Sequence, residues 1–202
     1  SKKPLVSILI ASFNKDKYTK RCITSCLKQS YKNVEIIFYD DGSTDNSLKI
    51  AKKFKKIKIL NNNNKKKISE FNTYPQINSY CSAFLKSKGK IITFLDSDDF
   101  YSKNKIKLIV DYFEKNKNSN IVFDLPIYVF ENNKKLKTNK HDFKIRSKNI
   151  WPKFPPQSCI SIKRNFFNKY YNDINNRNFS MLTLDFRLAV LGNIIINEFS
   201  LL

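Results

Sequence analysis

Glycine is scarce in this chain of 202 residues: Gly42, Gly89 and Gly192 are all it has, beside six prolines. That scarcity excludes a collagen-like or flexible low-complexity chain, and it leaves no glycine-rich loop of the kind that cradles phosphates. Histidine occurs once, as His141, in a lysine-rich stretch that reads as surface. The four cysteines (Cys22, Cys26, Cys81 and Cys159) form no C-x-x-C pair, so no zinc site is expected. Cys22 and Cys26 stand four apart in a helical pattern and read as small core residues, with reduced thiols in the cytosol. Long hydrophobic runs are also missing. The apolar stretch from Leu5 to Ala11 is broken by Ser7. It is too short for a signal-peptide core with a cleavage site, and no later run approaches the roughly 20 residues of a membrane span. A cytoplasmic protein is expected, meeting a membrane, if it does, peripherally on the inner face.

What the chain has is apolar mass and positive charge. Hydrophobic residues make up 41%, with 17 Phe and 10 Tyr, enough to build one sizeable core. The net charge is +21, and 33 of the 38 basic residues are Lys. Abundant Lys, Asn, Ile, Phe and Tyr share A/T-rich codons, so genome bias with a solvated surface accounts for much of the excess. The remainder points to attraction toward an anionic substrate or membrane surface, and no nucleic-acid partner is expected.

Periodicity orders the first half clearly. Leu5 to Ala11 reads as a strand buried on both faces, and Tyr18, Cys22, Ile23, Cys26 and Leu27 as a helix within Lys17 to Gln29. Val34 to Tyr39 is a second strand, followed by Asp40-Asp41-Gly42-Ser43-Thr44-Asp45, where Ser43 or Thr44 can cap a helix bearing Leu48, Ala51 and Phe54. Ile57 to Leu60 is a third strand. Ile77, Tyr80, Cys81 and Phe84 mark a helix stopped at Gly89, and Lys90 to Leu95 is a strand entering Asp96-Ser97-Asp98-Asp99. Ile106, Ile109, Val110 and Phe113 give one more helix. This β-α alternation predicts a mostly parallel central sheet with helices on both faces. The second half is looser. Strands are expected at Ile121 to Leu125, Ile127 to Phe130 and Ile194 to Phe199, and loops at Asn61 to Lys67 and Asn132 to Lys140. Trp151 to Gln157 should be extended, with short helices at Phe166 to Tyr171 and Leu184 to Leu191.

In such a sheet ligands gather at the carboxyl ends of strands. Ser12 to Asn14, then Asp40 and Asp41, then Asp96, Asp98 and Asp99 all fall there. Each segment alone is ordinary turn and cap chemistry. Together they set carboxylates around one crevice, where they repel unless a cation neutralises them, and hard divalent ions favour such oxygens. A metal-bridged nucleoside diphosphate is the physical reading.

The run Val6-Ser-Ile-Leu-Ile-Ala-Ser-Phe-Asn14, with Tyr18, Ser25, Gln29-Ser-Tyr31 and Tyr39-Asp-Asp-Gly-Ser-Thr-Asp45, resembles the opening of the family 2 glycosyltransferases. The spacing to Lys88-Gly-Lys-Ile-Ile-Thr-Phe-Leu-Asp-Ser-Asp-Asp99 matches too, so the likeness covers about the first 115 residues. It implies a GT-A fold: a Rossmann-like nucleotide-sugar half over residues 1–100 and an acceptor half over 101–202 within a single domain. It also implies a nucleoside-diphosphate sugar donor, most often of uridine, a saccharide or lipid-linked acceptor, Mn2+ or Mg2+, and inversion at the anomeric carbon. Ala11, Ser12 and Phe13 would line the base and ribose pocket, and Asp41 would bond the base. Asp96 and Asp98 hold the D-x-D positions, Asp96 facing nucleotide or metal and Asp98 the metal, with Asp99 able to share either role. Asp185, in Met181-Leu-Thr-Leu-Asp-Phe-Arg187, would be the general base, its alternative being a first-turn residue that opposes the helix dipole. Trp151, with Phe154 and Tyr170, would offer an acceptor wall or else pack in the core.

Two departures stand out. Many family members carry an arginine where this chain has Tyr80, so a lysine from Lys65 to Lys67 substitutes, the donor is held differently, or donor binding has weakened. Members also usually continue past the strand at Ile194 to Phe199, so the resemblance implies a chain that ends early. Two other classes compete: a non-catalytic binder of anionic polymers or membranes, and a nucleotidyltransferase, which would want the missing glycine loop.

Overall fold

The computed structural model describes residues 3–62, 73–130, 132–139, 155–191 and 199–201. β1 is Val6–Ser12 and α1 Asp16–Leu27; β2 is Val34–Asp40, α2 the short Ser47–Ala51 and β3 Lys58–Asn61. α3 (Tyr74–Leu85), β4 (Ile91–Asp96), α4 (Lys105–Lys115) and β5 (Ile121–Phe123) follow. β6 (Ile127–Val129) and β7 (Lys135–Lys137) form a hairpin of their own. Then come β8 (Ile160–Lys163), α5 (Arg164–Lys169), α6 (Tyr171–Ile174), α7 (Leu184–Val190) and β9 (Phe199–Leu201).

The main sheet has the order β3-β2-β1-β4-β8-β5-β9. β3, β2, β1 and β4 run parallel, β8 is antiparallel to both β4 and β5, and β9 pairs parallel with β5. The mostly parallel sheet expected from the alternating pattern is therefore present, with one reversed strand near its middle.

All seven residues of β1 are buried, as a strand covered on both faces requires. Alternate side chains serve opposite layers. Leu9, Ile37 and Phe94 pack with Tyr80 and Phe84 of α3 and with Phe167. Ile8, Ile10 and Phe38 pack on the other face with Cys22 and Cys26 of α1 and Ile109 of α4. The four cysteines are buried free thiols. Among the described residues no helix is long and apolar enough to cross a membrane.

Gly89 sits where two strands approach too closely for a side chain. Its N–H donates to Ser7 Oγ (2.8 Å) and Glu35 Oε1 (2.9 Å). A Cβ there would lie 2.4 Å from Ser7 Oγ and 2.5 Å from the Ser7 nitrogen, which belongs to the central strand and cannot yield. Gly89→Ala is expected to cost about 3 kcal/mol and to lower Tm by roughly 6–12 °C. A melting curve that matches the parent would contradict this packing.

Several local expectations change. Ser43 and Thr44 do not cap α2, whose N-cap is Asn46 without a side-chain bond. They bind Asn14 instead: the Asn14 N–H donates to Ser43 Oγ (3.0 Å), and Asn14 Oδ1 accepts from the Thr44 N–H (2.8 Å). The stretch Asn132 to Lys140, expected as a loop, contains β7, because Ile127–Val129 finds its partner there rather than in the main sheet. β8 was not anticipated, as a four-residue Ile-Ser-Ile-Lys segment carries too short a pattern. Tyr170 packs against the core, its ring 4.8 Å from that of Phe166. Lys65 to Lys67, His141, Trp151, Phe154 and the stretch from Ile194 to Glu198 lie outside the described residues, so the last expected strand is seen only from Phe199 onward.

Candidate functional site

Between β1 and β4 the direction of strand addition reverses: β1 leads outward to β2, whereas β4 enters on β1's other side. Such a switch point opens a crevice at the carboxyl edge. Ser12 is in register with Asp40, and Ala11 with Asp96, so three strand ends meet there. The ladder continues one step further through the Asp41 N–H to the Ser12 carbonyl (2.8 Å) and the Ser97 N–H to the Ala11 carbonyl (3.1 Å).

Two turns form the near wall. Asn14 adopts φ 51° and Gly42 φ 77°, left-handed positions that Asn and Gly tolerate best. Asp45 joins the walls: Oδ2 accepts from the Asp16 N–H and Oδ1 from the Ser47 N–H, each 2.9 Å. Ala11 and Ser12 are buried, while Phe13 is 55% exposed at the mouth. Ser12 Oγ and Asp40 Oδ1 are buried without a hydrogen-bond partner among the described residues. Asp41 is half-buried, accepts from Asn62 Nδ2 (3.0 Å), and burial pushes its carboxyl up.

Among the described residues, Asp96 is the acid with the most side-chain hydrogen-bond donors around it. Its Oδ1 accepts from Tyr80 OH (2.7 Å) and Gln76 Nε2 (2.7 Å), and Gln157 Nε2 approaches both oxygens (2.9 and 2.7 Å). All three donors are neutral. Burial therefore dominates, and the carboxyl is pushed up to about 6 despite these bonds. Tyr80 is fully buried and edge-on to Phe94, ring centroids 5.2 Å apart, which fixes its hydroxyl on the carboxylate. The position where the family resemblance implies an arginine thus presents a neutral donor to Asp96.

Asp98 faces the opening. Its Oδ2 lies 2.7 Å from Lys15 Nζ, both side chains being about two-fifths exposed, and Arg21 Nη2 reaches the Asp98 carbonyl at 3.4 Å. The Asp98 hydrogen bond raises the Lys15 ammonium pKa. Asp99 is an exposed residue whose N–H donates to the Asp96 carbonyl (3.0 Å); desolvation of its carboxyl raises the pKa against an opposing Ser158 hydrogen bond. Among the described residues no three Asp, Glu, Cys or His side chains converge as a closed metal cage. Asp98 and Asp99 nevertheless suit an ion that takes one or two carboxylates and completes its shell with phosphate and water. The Lys15 ammonium already stands as a cation on Asp98.

Behind the acids, a 3-10 turn at Gln157–Cys159 is tied to the sheet: Ser158 Oγ accepts from the Asp96 N–H (3.0 Å). Buried Lys105 bonds the Ser158 carbonyl (3.0 Å) and pairs with Asp124. Asp185 lies in the first turn of α7, preceded by a loop held at the N-terminus of α3, where Thr73 Oγ1 donates to the Ser180 (2.7 Å) and Leu182 (3.0 Å) carbonyls. Gln76, which holds Asp96, is three residues further along α3. Burial raises the Asp185 carboxyl, and its Oδ1 has no hydrogen-bond partner among the described residues. Arg187, 5% exposed, fastens the same loop through the carbonyls of Ile174, Asn176, Phe179 and Leu182. Arg187→Met strands those acceptors and is expected to cost about 3 kcal/mol, read as a lower urea midpoint; an unchanged midpoint would contradict it.

The crevice, then, brings Ala11, Ser12, Phe13, Asp41, Asp96, Asp98 and Asp99 together, and α3 links its wall to the loop before Asp185. Sequence reasoning missed Gln76, Gln157 and Lys15. Gln76 was legible in part, because it stands four residues before Tyr80 on one helical face; Gln157 gave no signal beyond a polar residue after prolines.

Fold and site define an α/β domain with an acidic crevice at the switch point of its sheet. Residues 7–176 match the model of glycosyl transferase family 2, and the chain belongs to that family. It is 28% identical over 181 residues to an uncharacterized glycosyltransferase of Nostoc, covering 82% of this chain and 53% of that protein. It is 36% identical over 128 residues to the minor teichoic acid biosynthesis protein GgaA of Bacillus subtilis, covering 61% and 28%. It is 35% identical over 121 residues to the Escherichia coli UDP-Glc:alpha-D-GlcNAc-diphosphoundecaprenol beta-1,3-glucosyltransferase WfaP, covering 56% and 43%. Among solved structures, S. aureus TarS 1-349 in complex with UDP superposes with a TM-score of 0.73 at 17% identity, over 98% of this chain and 57% of that one. This is the GT-A fold. The chain spans about half the length of the curated relatives it matches.

Proposed function

We propose that the chain is the catalytic domain of an inverting glycosyltransferase that moves a sugar from a UDP-sugar to a hydroxyl of a saccharide or lipid-linked saccharide. The biological setting we propose is surface polysaccharide or lipid-linked oligosaccharide synthesis, in the cytoplasm at the inner face of the membrane. One observation carries the reading: Asp98, partly exposed and paired with Lys15, and the exposed Asp99 stand at a switch-point crevice beside Asp96, which Tyr80, Gln76 and Gln157 hold in place. The GgaA and WfaP names support the setting.

In this reading the uracil and ribose lie along Ala11 to Phe13, with Asp41 accepting from the base. Asp98, with Asp99 beside it, would hold Mn2+ or Mg2+. When bound, the cation supplies positive charge that stabilises the departing diphosphate. Asp96 is oriented through Oδ1 by Tyr80, Gln76 and Gln157, while Oδ2, which accepts from Gln157 alone, keeps a lone pair that could face the nucleotide or the cation. Asp185 takes the proton of the acceptor hydroxyl as that oxygen attacks the anomeric carbon, and its raised pKa makes it a better base. A single displacement needs no nucleophilic side chain. Trp151 would lie against the acceptor sugar.

The product's stereochemistry tests the reading. With an α-linked UDP-hexose and a saccharide acceptor, NMR should show a β-linkage, and an α-linked product would reject inversion. A pH dependence follows from Asp96. Its charge helps hold the cation, and in the free protein that charge is lost as pH falls through about 6 rather than near the ordinary carboxylate value. Manganese-dependent UDP affinity should therefore weaken, by up to about tenfold per unit, below that pH. Affinity that stays flat to pH 5 would contradict it.

A further inference from the structure

β5 runs parallel to β4, so it ends on the same sheet edge as Asp96, and the β6–β7 hairpin leaves from that end. Thr138 Oγ1 closes the base of the hairpin on the Pro126 carbonyl (2.7 Å), and Lys105 anchors Asp124 just before it. The hairpin pairs with no other strand among the described residues. Tyr128 stands opposite Leu136, and Phe130 falls two residues on, along the same face. Those three and Ile127 are between 45 and 54% exposed. A two-stranded ribbon with an uncovered apolar face is marginal in water, so this one is built to be covered.

The charge on it says by what. Lys134, Lys135 and Lys137 are all exposed, and Glu131 is the one acid in the sequence from Ile127 to Asn139. By strand alternation Lys134 shares the face of Tyr128 and Leu136, while Lys135 and Lys137 stand on the other face beside Val129 and Ile127, so positive charge lines both sides of the ribbon. An apolar socket on another protein would gain nothing from that charge. A bilayer surface uses both: aromatic and aliphatic side chains enter the acyl boundary while lysines reach the lipid phosphates. Phe100, exposed after β4, adds to the apolar rim along the same edge.

We propose that the β6–β7 hairpin is a lipid-contacting finger that seats the carboxyl edge of the sheet, and so the acidic crevice, on an anionic bilayer. The contact itself needs only the hairpin. Its purpose, presenting the crevice to a membrane-borne acceptor, rests on the glycosyltransferase reading.

Sedimentation with vesicles tests it, using the full chain with phosphatidylglycerol/phosphatidylethanolamine or with phosphatidylcholine alone. The wild type should bind the anionic vesicles and not the neutral ones. The combined variant Tyr128→Ser/Phe130→Ser/Leu136→Ser should bind about tenfold more weakly, and so should Lys134→Glu/Lys135→Glu/Lys137→Glu. Leu85→Ser/Leu108→Ser, which removes exposed apolar groups elsewhere, should bind as the parent does. Melting curves with UDP and manganese accompany every variant and should show the parent's shift. The proposal is overturned if the wild type ignores anionic vesicles, or if the serine variant binds as well as the parent and only total charge matters. Hairpin-dependent vesicle binding by a wild type that shows no UDP shift would overturn the transferase reading and leave the finger standing.

Discussion

Asp98→Asn abolishes the manganese-dependent part of UDP binding, an expected loss of about 100-fold or about 2.7 kcal/mol. The reasoning starts from exposure. Asp96 is held by Tyr80, Gln76 and Gln157, and the carboxylate turned toward the opening is that of Asp98, with Asp99 as its neighbour. Replacing one oxygen by an amide keeps the shape and removes the charge that a hard cation needs. The change also breaks the Lys15 pair, but both side chains are about two-fifths exposed, and such a pair is worth at most about 1 kcal/mol. Tm without ligand should therefore hardly move. Calorimetry with UDP and manganese checks the point, and wild-type affinity in the variant would remove Asp98 from the metal site.

Asp185→Asn should lower turnover by roughly 10²–10⁴-fold while UDP affinity stays as it was. Asp185 sits beyond the loop that Thr73 and Arg187 fasten, with Oδ1 lacking a partner among the described residues and its carboxyl raised by burial. A residue that merely opposed the helix dipole would behave differently, since losing its charge would lower Tm and spare catalysis. Here the ionised form carries a desolvation cost at neutral pH, so the amide should melt no earlier than the parent. Sugar transfer followed by UDP release, beside UDP titration, separates the two roles; full turnover in the variant would make Asp185 structural.

Much of this arrangement was readable from the sequence wherever period and burial agree. β1, β2 and β4 are strong apolar runs, and α1, α3 and α4 carry Cys22, Tyr80 and Ile109 at helical spacing, so element type and the acidic strand ends followed from patterning. The reversed strand β8 was not readable, because its four residues, Ile160–Lys163, carry too short a pattern to tell a strand from a loop. Ser43 and Thr44 looked like caps, since cap and loop-to-loop bonds draw on the same residue types; only the left-handed Asn14 across the crevice decides between them. The site shows the same division. Which acids gather was legible, whereas what surrounds Asp96 was not, because Gln76 and Gln157 come from segments far apart in the sequence. Tyr80 was visible as a departure, and its effect, a neutral grip on Asp96, required the fold.

The most direct test of the central claim is thermal stability against UDP, dTDP, GDP and CDP, each with manganese or with chelator. A nucleotide at about 100 times its Kd adds roughly 2.7 kcal/mol to the folded state. The account predicts a clear rise in Tm with UDP and manganese that disappears on chelation. No shift with any nucleotide, or a UDP shift that survives the chelator, would contradict it.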